Sequence, residues 1–256
     1  MISKNRAAFI VSLQKKKHRD ENGLYVIEGD KMVKDYLMAG MPVVAVYAKR
    51  EWIASNRSVI PEALSEVVPV TYDEIRRISA LTTPHNAIAL VRTDNSSPGF
   101  DTITAGYSLA LETVQDPGNL GTIIRSAAWF GIPYIICTRD TVDCYNPKVV
   151  QASMGGLLSV KVLYEGLESF LGRAREAGIS VFGTYTGGSG LSGFHPPENG
   201  IILLGNESRG ISGALDGYVS VRLSIPRARG QDNGIDSLNV AMAATIMMYE
   251  FSGKRW

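Results

Sequence analysis

The chain has 256 residues, 45% of them apolar and 20% charged, and 26 Lys/Arg against 25 Asp/Glu leave a net charge of +1. This composition fits an ordinary globular protein of one large or two modest domains, and no run of about 18 uninterrupted apolar residues offers a membrane span. The near-neutral charge gives no pointer to a nucleic-acid partner, and the N-terminus lacks the apolar core of a signal peptide.

Apolar residues at 7–11 and 13 predict a helix over residues 6–13. The run Lys15-Lys-Lys-His-Arg19 follows and holds much of the positive excess of residues 1–97; it reads as a solvated face or as a contact to a phosphate backbone. Met32, Val33, Tyr36 and Leu37 share one face of a helix over residues 31–39. Residues 43–47 and 87–91 read as buried strands, and residues 62–66 and 72–79 as short helices. These elements make a small α/β domain over residues 1–97, closed by the linker-like Asp94-Asn-Ser-Ser-Pro-Gly99.

Strands and helices alternate regularly through residues 98–256. Strands are predicted over 108–114, 133–138, 158–163, 180–184, 201–204 and 219–225. Helices are predicted over 119–130, near 148–154, and over 167–177 and 237–251. The pattern gives an α/β class with a parallel sheet covered by helices on both faces. Cys137 lies in an apolar strand, Cys144 is the only other cysteine, and a reducing cytoplasm is a simpler reading than a disulfide. The last helix, Val240-Ala-Met-Ala-Ala-Thr-Ile-Met-Met248, is apolar almost all round, so either its own domain or a partner subunit covers it.

Several site types are missing. No phosphate loop, dinucleotide fingerprint or nucleophile elbow occurs, and His18, His85 and His195 with two cysteines make no zinc cluster, so no metal is expected. Three segments at strand ends and helix starts carry the chemistry instead. In Gln115-Asp-Pro-Gly-Asn-Leu-Gly121, Asn119 reads as a helix N-cap, and Arg125 is a charge among the apolar residues that follow. In Leu204-Gly-Asn-Glu-Ser-Arg-Gly210, glycines allow close backbone approach and Glu207 can hold Arg125, orient Asn119 or stay solvated. In Ile225-Pro226 through Asp236-Ser-Leu-Asn-Val240, Asp236 or Ser237 can cap the last helix, and Asn239 in its first turn aims an amide at a partner group.

The ordered set Asn-x-Gly-x-x-x-Arg, Leu-Gly-Asn-Glu-x-x-Gly and Ile-Pro followed by Ser-Leu-Asn-Val resembles the three motifs of the SpoU/TrmH family, the SPOUT-class RNA ribose 2′-O-methyltransferases, across residues 107–251. The segments Phe9-Ile-Val-Ser-Leu13, Tyr25-Val-Ile-Glu-Gly29 and Thr83-Pro-His-Asn-Ala-Ile-Ala-Leu90 resemble that family's small L30e-like substrate-binding domain. The resemblance implies a SPOUT fold with a C-terminal trefoil knot, an obligate homodimer, S-adenosylmethionine (AdoMet) as methyl donor and RNA as substrate, ribosomal RNA before transfer RNA. Thr184, Gly205, Ile225 and Leu238 are then the expected AdoMet contacts. Arg125 is expected nearest the attacking ribose oxygen, with Asn119, Glu207, Ser237 and Asn239 shaping the site. Two departures are visible: residues 227–235 form a longer connection than usual, with Arg227 and Arg229 facing RNA phosphate or solvent, and Asp236 stands where the family more often has Glu. The alternatives are a catalytically silent RNA-binding protein on the same scaffold and a nucleotide-binding α/β enzyme.

Overall fold

The computed structural model describes residues 2–191, 193–227 and 236–252. Two compact units emerge: residues up to Asn95 together with Asp143–Leu158, and Ser96–Val142 together with the residues from Ser159 onward. The first unit is therefore built from two separate stretches of chain.

In the first unit, α1 (Lys4–Ser12), α2 (Lys16–Asn22), β1 (Leu24–Glu28), α3 (Asp30–Met38), β2 (Val43–Ala48), α4 (Arg50–Ser55), β3 (Val67–Pro69), α5 (Tyr72–Ile78) and β4 (Ala87–Arg92) follow in order. The sheet runs β1-β4-β2-β3, antiparallel except for the β2–β3 pair. Strand alternation splits the core in two. Tyr25 and Ile27 face one cluster with Val33, Tyr36 and Trp52, which Val150 of the returning stretch joins. Val26 faces the other, with Ile10, Leu13, Ile75 and Ile78.

Two predictions change here. The expected helix over residues 62–66 is a turn leading into β3. Five residues are too few to nucleate a helix alone, and Glu66 is held extended because its carboxylate takes Arg6 Nη2 at 2.5 Å while its carbonyl accepts from Val46 N–H at 2.8 Å. The basic run 15–19 is not uniformly solvated either. It opens α2, which ends at Gly23 in the left-handed conformation (φ +60°). Lys16 and Lys17 pair with Asp20 and Glu21 one turn on.

Arg19 from that run is only 2% exposed. Its Nη2 and Nε reach Asp143 Oδ2 at 2.5 and 3.1 Å, and Nη1 donates to the carbonyls of Leu13 and Gln14 at 2.9 and 2.8 Å. Arg19→Met is expected to lower unfolding free energy by about 3–5 kcal/mol, because the largely enclosed Asp143 loses its counter-ion and keeps only the Tyr145 N–H. Urea titration followed by circular dichroism checks this, and a loss under about 0.5 kcal/mol would show that the pair contributes nothing net.

The second unit begins with α6 (Phe100–Thr104), β5 (Tyr107–Leu111), α7 (Pro117–Trp129) and β6 (Tyr134–Cys137). Helix α8 (Pro147–Ser153) belongs to the first unit. The second then resumes with β7 (Lys161–Tyr164), α9 (Leu167–Glu176), β8 (Val181–Tyr185), β9 (Ser189–Gly190), β10 (Gly200–Leu204), α10 (Gly213–Asp216), β11 (Val221–Ser224) and α11 (Val240–Ser252). Seven strands run β7-β6-β5-β10-β8-β11-β9, and each recorded pairing is parallel. Strands β5 and β10 sit at the centre, buried along their whole length, as near-continuous apolar runs require in a parallel sheet. From β5 the chain steps outward to β6 and β7 on one side, while β10 lies on the other. A sheet of this kind opens a crevice beyond the strand C-termini where its winding reverses, here beyond β5 and β10.

Helix α11 packs on α7, joined by Ser126 Oγ and Thr245 Oγ1 at 2.8 Å and by an edge contact between Phe130 and Tyr249. Val240, Ala241, Ala244, Met247, Met248 and Phe251 are buried. Met242, Ile246 and Tyr249 are exposed, the last 62%, so the chain by itself does not bury this helix on every side. Among the described residues no helix is long and apolar enough to cross a membrane.

Candidate active site

Helix α7 starts at Pro117, whose fixed φ and missing N–H suit a first helical position. Its N-cap is Asp116, not Asn119: Asp116 Oδ1 accepts from the Asn119 N–H at 2.8 Å. A carboxylate at a helix start also meets the positive end of the helix dipole. The correction matters because it releases the Asn119 side chain. Its Nδ2 donates to Glu207 Oε1, and its Oδ1 accepts from Asn239 Nδ2 at 2.9 Å.

Asn239 likewise differs from expectation. It caps α11 itself, its Oδ1 accepting from Ala241 and Met242 N–H at 2.9 and 3.3 Å, a role the sequence assigns to Asp236 or Ser237. One amide thus terminates the helix with its oxygen and orients Asn119 with its nitrogen. The expectation that it aims at a partner group holds, and the group is Asn119. The result is a chain of three side chains, Asn239 to Asn119 to Glu207, drawn from all three motif segments.

Glu207 sits in a tight turn after β10. Asn206 and Gly210 exchange backbone hydrogen bonds, N–H to carbonyl, at 3.0 and 2.8 Å. Gly210 has φ +67°, and Gly205 lies directly against the closing strand of the turn. A Cβ on Gly205 would stand 2.1 Å from the Gly210 carbonyl carbon and 2.2 Å from Ile211 N. Only glycine fits, for want of space rather than for its φ.

This turn forms one wall of a cavity of about 720 Å³, within the roughly 300–1,000 Å³ typical of small-molecule sites. Thr184, Gly205, Ile225 and Leu238 all line it, as do Glu207, Ser237 and Arg227. Arg229, and the rest of the long connection to Ile235, lie outside the described residues. Thr184 Oγ1 is buried with no hydrogen-bond partner among the described residues. Tyr185, beside it, donates its hydroxyl to Asp216 Oδ1 at 2.5 Å, and burial together with that bond pushes its pKa up to about 12. It therefore presents a neutral ring to the cavity.

Arg125 is not brought to this cavity. It is exposed on α7 and takes part in none of the bonds above; one turn on, Trp129 is 82% exposed. Sequence reasoning missed Asp116, Tyr185 and the side-chain role of Asn206. Pro117 was the signal for Asp116, since proline at a first helical position places the cap immediately before it. Among the described residues no group of His, Cys, Asp and Glu is arranged to hold a metal.

Comparison with known proteins gives a consistent result. The SpoU rRNA Methylase family model matches residues 106–249, and an MRM3-like substrate binding domain model matches residues 4–89. The 23S rRNA (guanosine(2553)-2'-O)-methyltransferase of Bacillus subtilis is 29% identical over 245 residues, covering 94% of this chain and 93% of its own. A TrmH-family protein from Porphyromonas gingivalis has 33% identity and a TM-score of 0.88, with 99% of each chain covered. An AdoMet-bound rRNA methyltransferase from Sinorhizobium meliloti has 28% identity and a TM-score of 0.86, covering 100% of this chain and 98% of that one.

Proposed function

The chain belongs to the SpoU rRNA methylase family, and on that premise we propose that it transfers a methyl group from AdoMet to a ribose 2′-hydroxyl of ribosomal RNA. The observation that carries this reading is the cavity beyond β10, lined by Thr184, Gly205, Ile225 and Leu238, with the Asn239–Asn119–Glu207 chain tied to its edge. The residues fit the cofactor: Gly205 lets the Glu207 turn close tightly into a wall, Thr184 lines the same space, and Ile225 and Leu238 supply apolar walls. Bound there, AdoMet supplies an electrophilic methyl group on a positively charged sulfur.

The chain's own residues then have distinct tasks. Asn119 holds one oxygen of Glu207, so the carboxylate is presented in a fixed orientation at the cavity edge. Ser237 lines the same cavity. A guanidinium such as that of Arg125 is a poor proton acceptor and a rigid donor. Its role is that of a fixed cation, binding the phosphate beside the target ribose and stabilising negative charge as it grows on the 2′-oxygen. The first unit grips the RNA, in keeping with the substrate-binding model it matches, and the cytoplasm is the compartment that goes with a ribosomal RNA substrate.

In this reading Arg125 serves the cavity of a second copy, since it is exposed on α7 and does not line its own chain's cavity. The exposed Met242, Ile246, Tyr249 and Trp129 supply an apolar face for such a homodimer. Ile246→Glu is expected to raise the dimer Kd at least about 30-fold, the equivalent of roughly 2 kcal/mol at an interface hot spot. Analytical ultracentrifugation reads this directly, and an unchanged dimer would place the interface elsewhere. The activity itself is tested with AdoMet carrying a tritiated methyl group, supplied with ribosomal RNA from cells lacking the protein. Label at a nuclease-resistant 2′-O-methyl dinucleotide is the expected result. AdoMet and RNA binding with no transfer would instead mark a silent RNA-binding protein.

A further inference from the structure

Thr113 follows β5 with φ +56°, a left-handed conformation that β-branched side chains disfavour. Three hydrogen bonds hold it there. Its N–H donates to Thr138 Oγ1 at 2.8 Å, its hydroxyl donates to Asp140 Oδ2 at 2.9 Å, and its carbonyl accepts from Asn206 Nδ2 at 2.9 Å. The Thr138 and Thr113 hydroxyls hold the Asp140 carboxyl below its usual range, which keeps it an ionised acceptor. Val114 is tied to the same neighbouring loop, donating to Thr141 Oγ1 at 3.2 Å and accepting from Val142 N–H at 3.0 Å. All these ties join the loop after β5 to the loop after β6, with one exception. Asn206 comes from the turn after β10.

Asn206 uses both ends of its amide. Its oxygen accepts from Ser208 and Arg209 N–H at 3.0 and 3.3 Å and so shapes the turn, while its nitrogen reaches across to Thr113. The adjacent residue is Glu207, which Asn119 holds. A closed circuit results: backbone from Thr113 to Asn119, a hydrogen bond from Asn119 to Glu207, a peptide link back to Asn206, and a hydrogen bond from Asn206 to Thr113. Asn119 is half-buried and held from its other side by Asn239, but its bond to the exposed Glu207 would by itself leave the Glu207 turn free to swing. Two rungs fix the turn against the start of α7.

We propose that Asn206 and Thr113 are positioning residues for methyl transfer, their bond setting the register in which Asn119 meets Glu207. Neither touches the reacting atoms. The disfavoured backbone of Thr113 turns its carbonyl toward Asn206, and the bonds to Thr138 and Asp140 lock that turn. The proposal rests on the methyl-transfer reading for its kinetic consequence, but not for its geometric one.

Asn206→Asp separates the two ends of the amide. The carboxylate still accepts from Ser208 and Arg209 but cannot donate to Thr113. Because Asn206 also belongs to the cavity wall, the reading is taken at saturating AdoMet: the expected result is a kcat lower by about 10- to 100-fold, as for a small misplacement of catalytic groups. The side-chain amide resonance of Asn119, followed by nitrogen-15 NMR, is expected to move. Asn206→Ser, whose hydroxyl still accepts from the turn but falls short of Thr113, carries the same expectation if the Asp variant is unstable. A parental kcat would overturn the proposal. So would lost AdoMet affinity with full kcat at saturation, since Asn206 would then serve the cofactor turn alone. An unmoved Asn119 resonance also overturns it. If the parent protein transfers no methyl group, the functional reading fails and that resonance alone decides the clamp.

Discussion

Gly205→Ala is expected to eliminate measurable AdoMet binding. The added carbon would lie 2.1 and 2.2 Å from backbone atoms of Gly210 and Ile211. Backbone cannot rotate aside as a side chain does, and the paired bonds between Asn206 and Gly210 hold it in place. The turn must open, and with it the wall that carries Glu207. We expect a loss in affinity of at least about 100-fold, equal to roughly 2.7 kcal/mol, by isothermal calorimetry. Overpacking should also lower stability by about 1–3 kcal/mol, visible as a reduced Tm. An alanine variant that binds AdoMet within threefold of the parent would remove this cavity from consideration as the donor site.

Arg125→Ala is expected to lower kcat by about 100- to 1,000-fold, the usual loss on removing one fixed donor to a developing oxyanion. AdoMet affinity should be nearly unchanged, because in this reading the guanidinium grips RNA phosphate and the 2′-oxygen rather than the cofactor. Arg125→Lys should recover little if the planar fork grips phosphate through two parallel hydrogen bonds, and near-full turnover would rule out the fork. Co-expression with Gly205→Ala tests the origin of the cation. In a mixed dimer, the intact cavity of one subunit would meet the intact Arg125 of the other. Random pairing should then restore about a quarter of parental activity. No recovery from two correctly folded, paired variants would mean that Arg125 serves its own chain.

The parts of this site that follow local rules could be read in the sequence. The apolar run before Gly205 is the central strand β10, legible from hydrophobicity alone, while Thr184, Ile225 and Leu238, which the family resemblance implies, line the cavity beside it. Residues whose role depends on distant partners could not be read in this way. Arg19 stands in a basic run that looks solvated, yet its partner Asp143 lies 124 residues on. Asn119 and Asn239 are both good caps by composition, but only contact across 120 residues shows that Asn239 caps while Asn119 is left to hold Glu207. The left-handed backbone of Thr113 has no sequence signal, since threonine is among the residues least suited to it. The helix expected over residues 62–66 failed for the same kind of reason, its last residue being claimed by Arg6 sixty positions away.

The return of Asp143–Leu158 to the first unit has a consequence for how such a protein can diversify. A module encoded by one uninterrupted stretch can be exchanged between genes by a single crossover. Here a swap at residue 95 would deliver Tyr25 without the ring of Tyr145 that stacks on it at 4.4 Å, and Arg19 without its counter-ion. Recombination would have to transplant two pieces together, so new RNA specificities in this lineage should accumulate by point substitution within the unit rather than by its wholesale replacement.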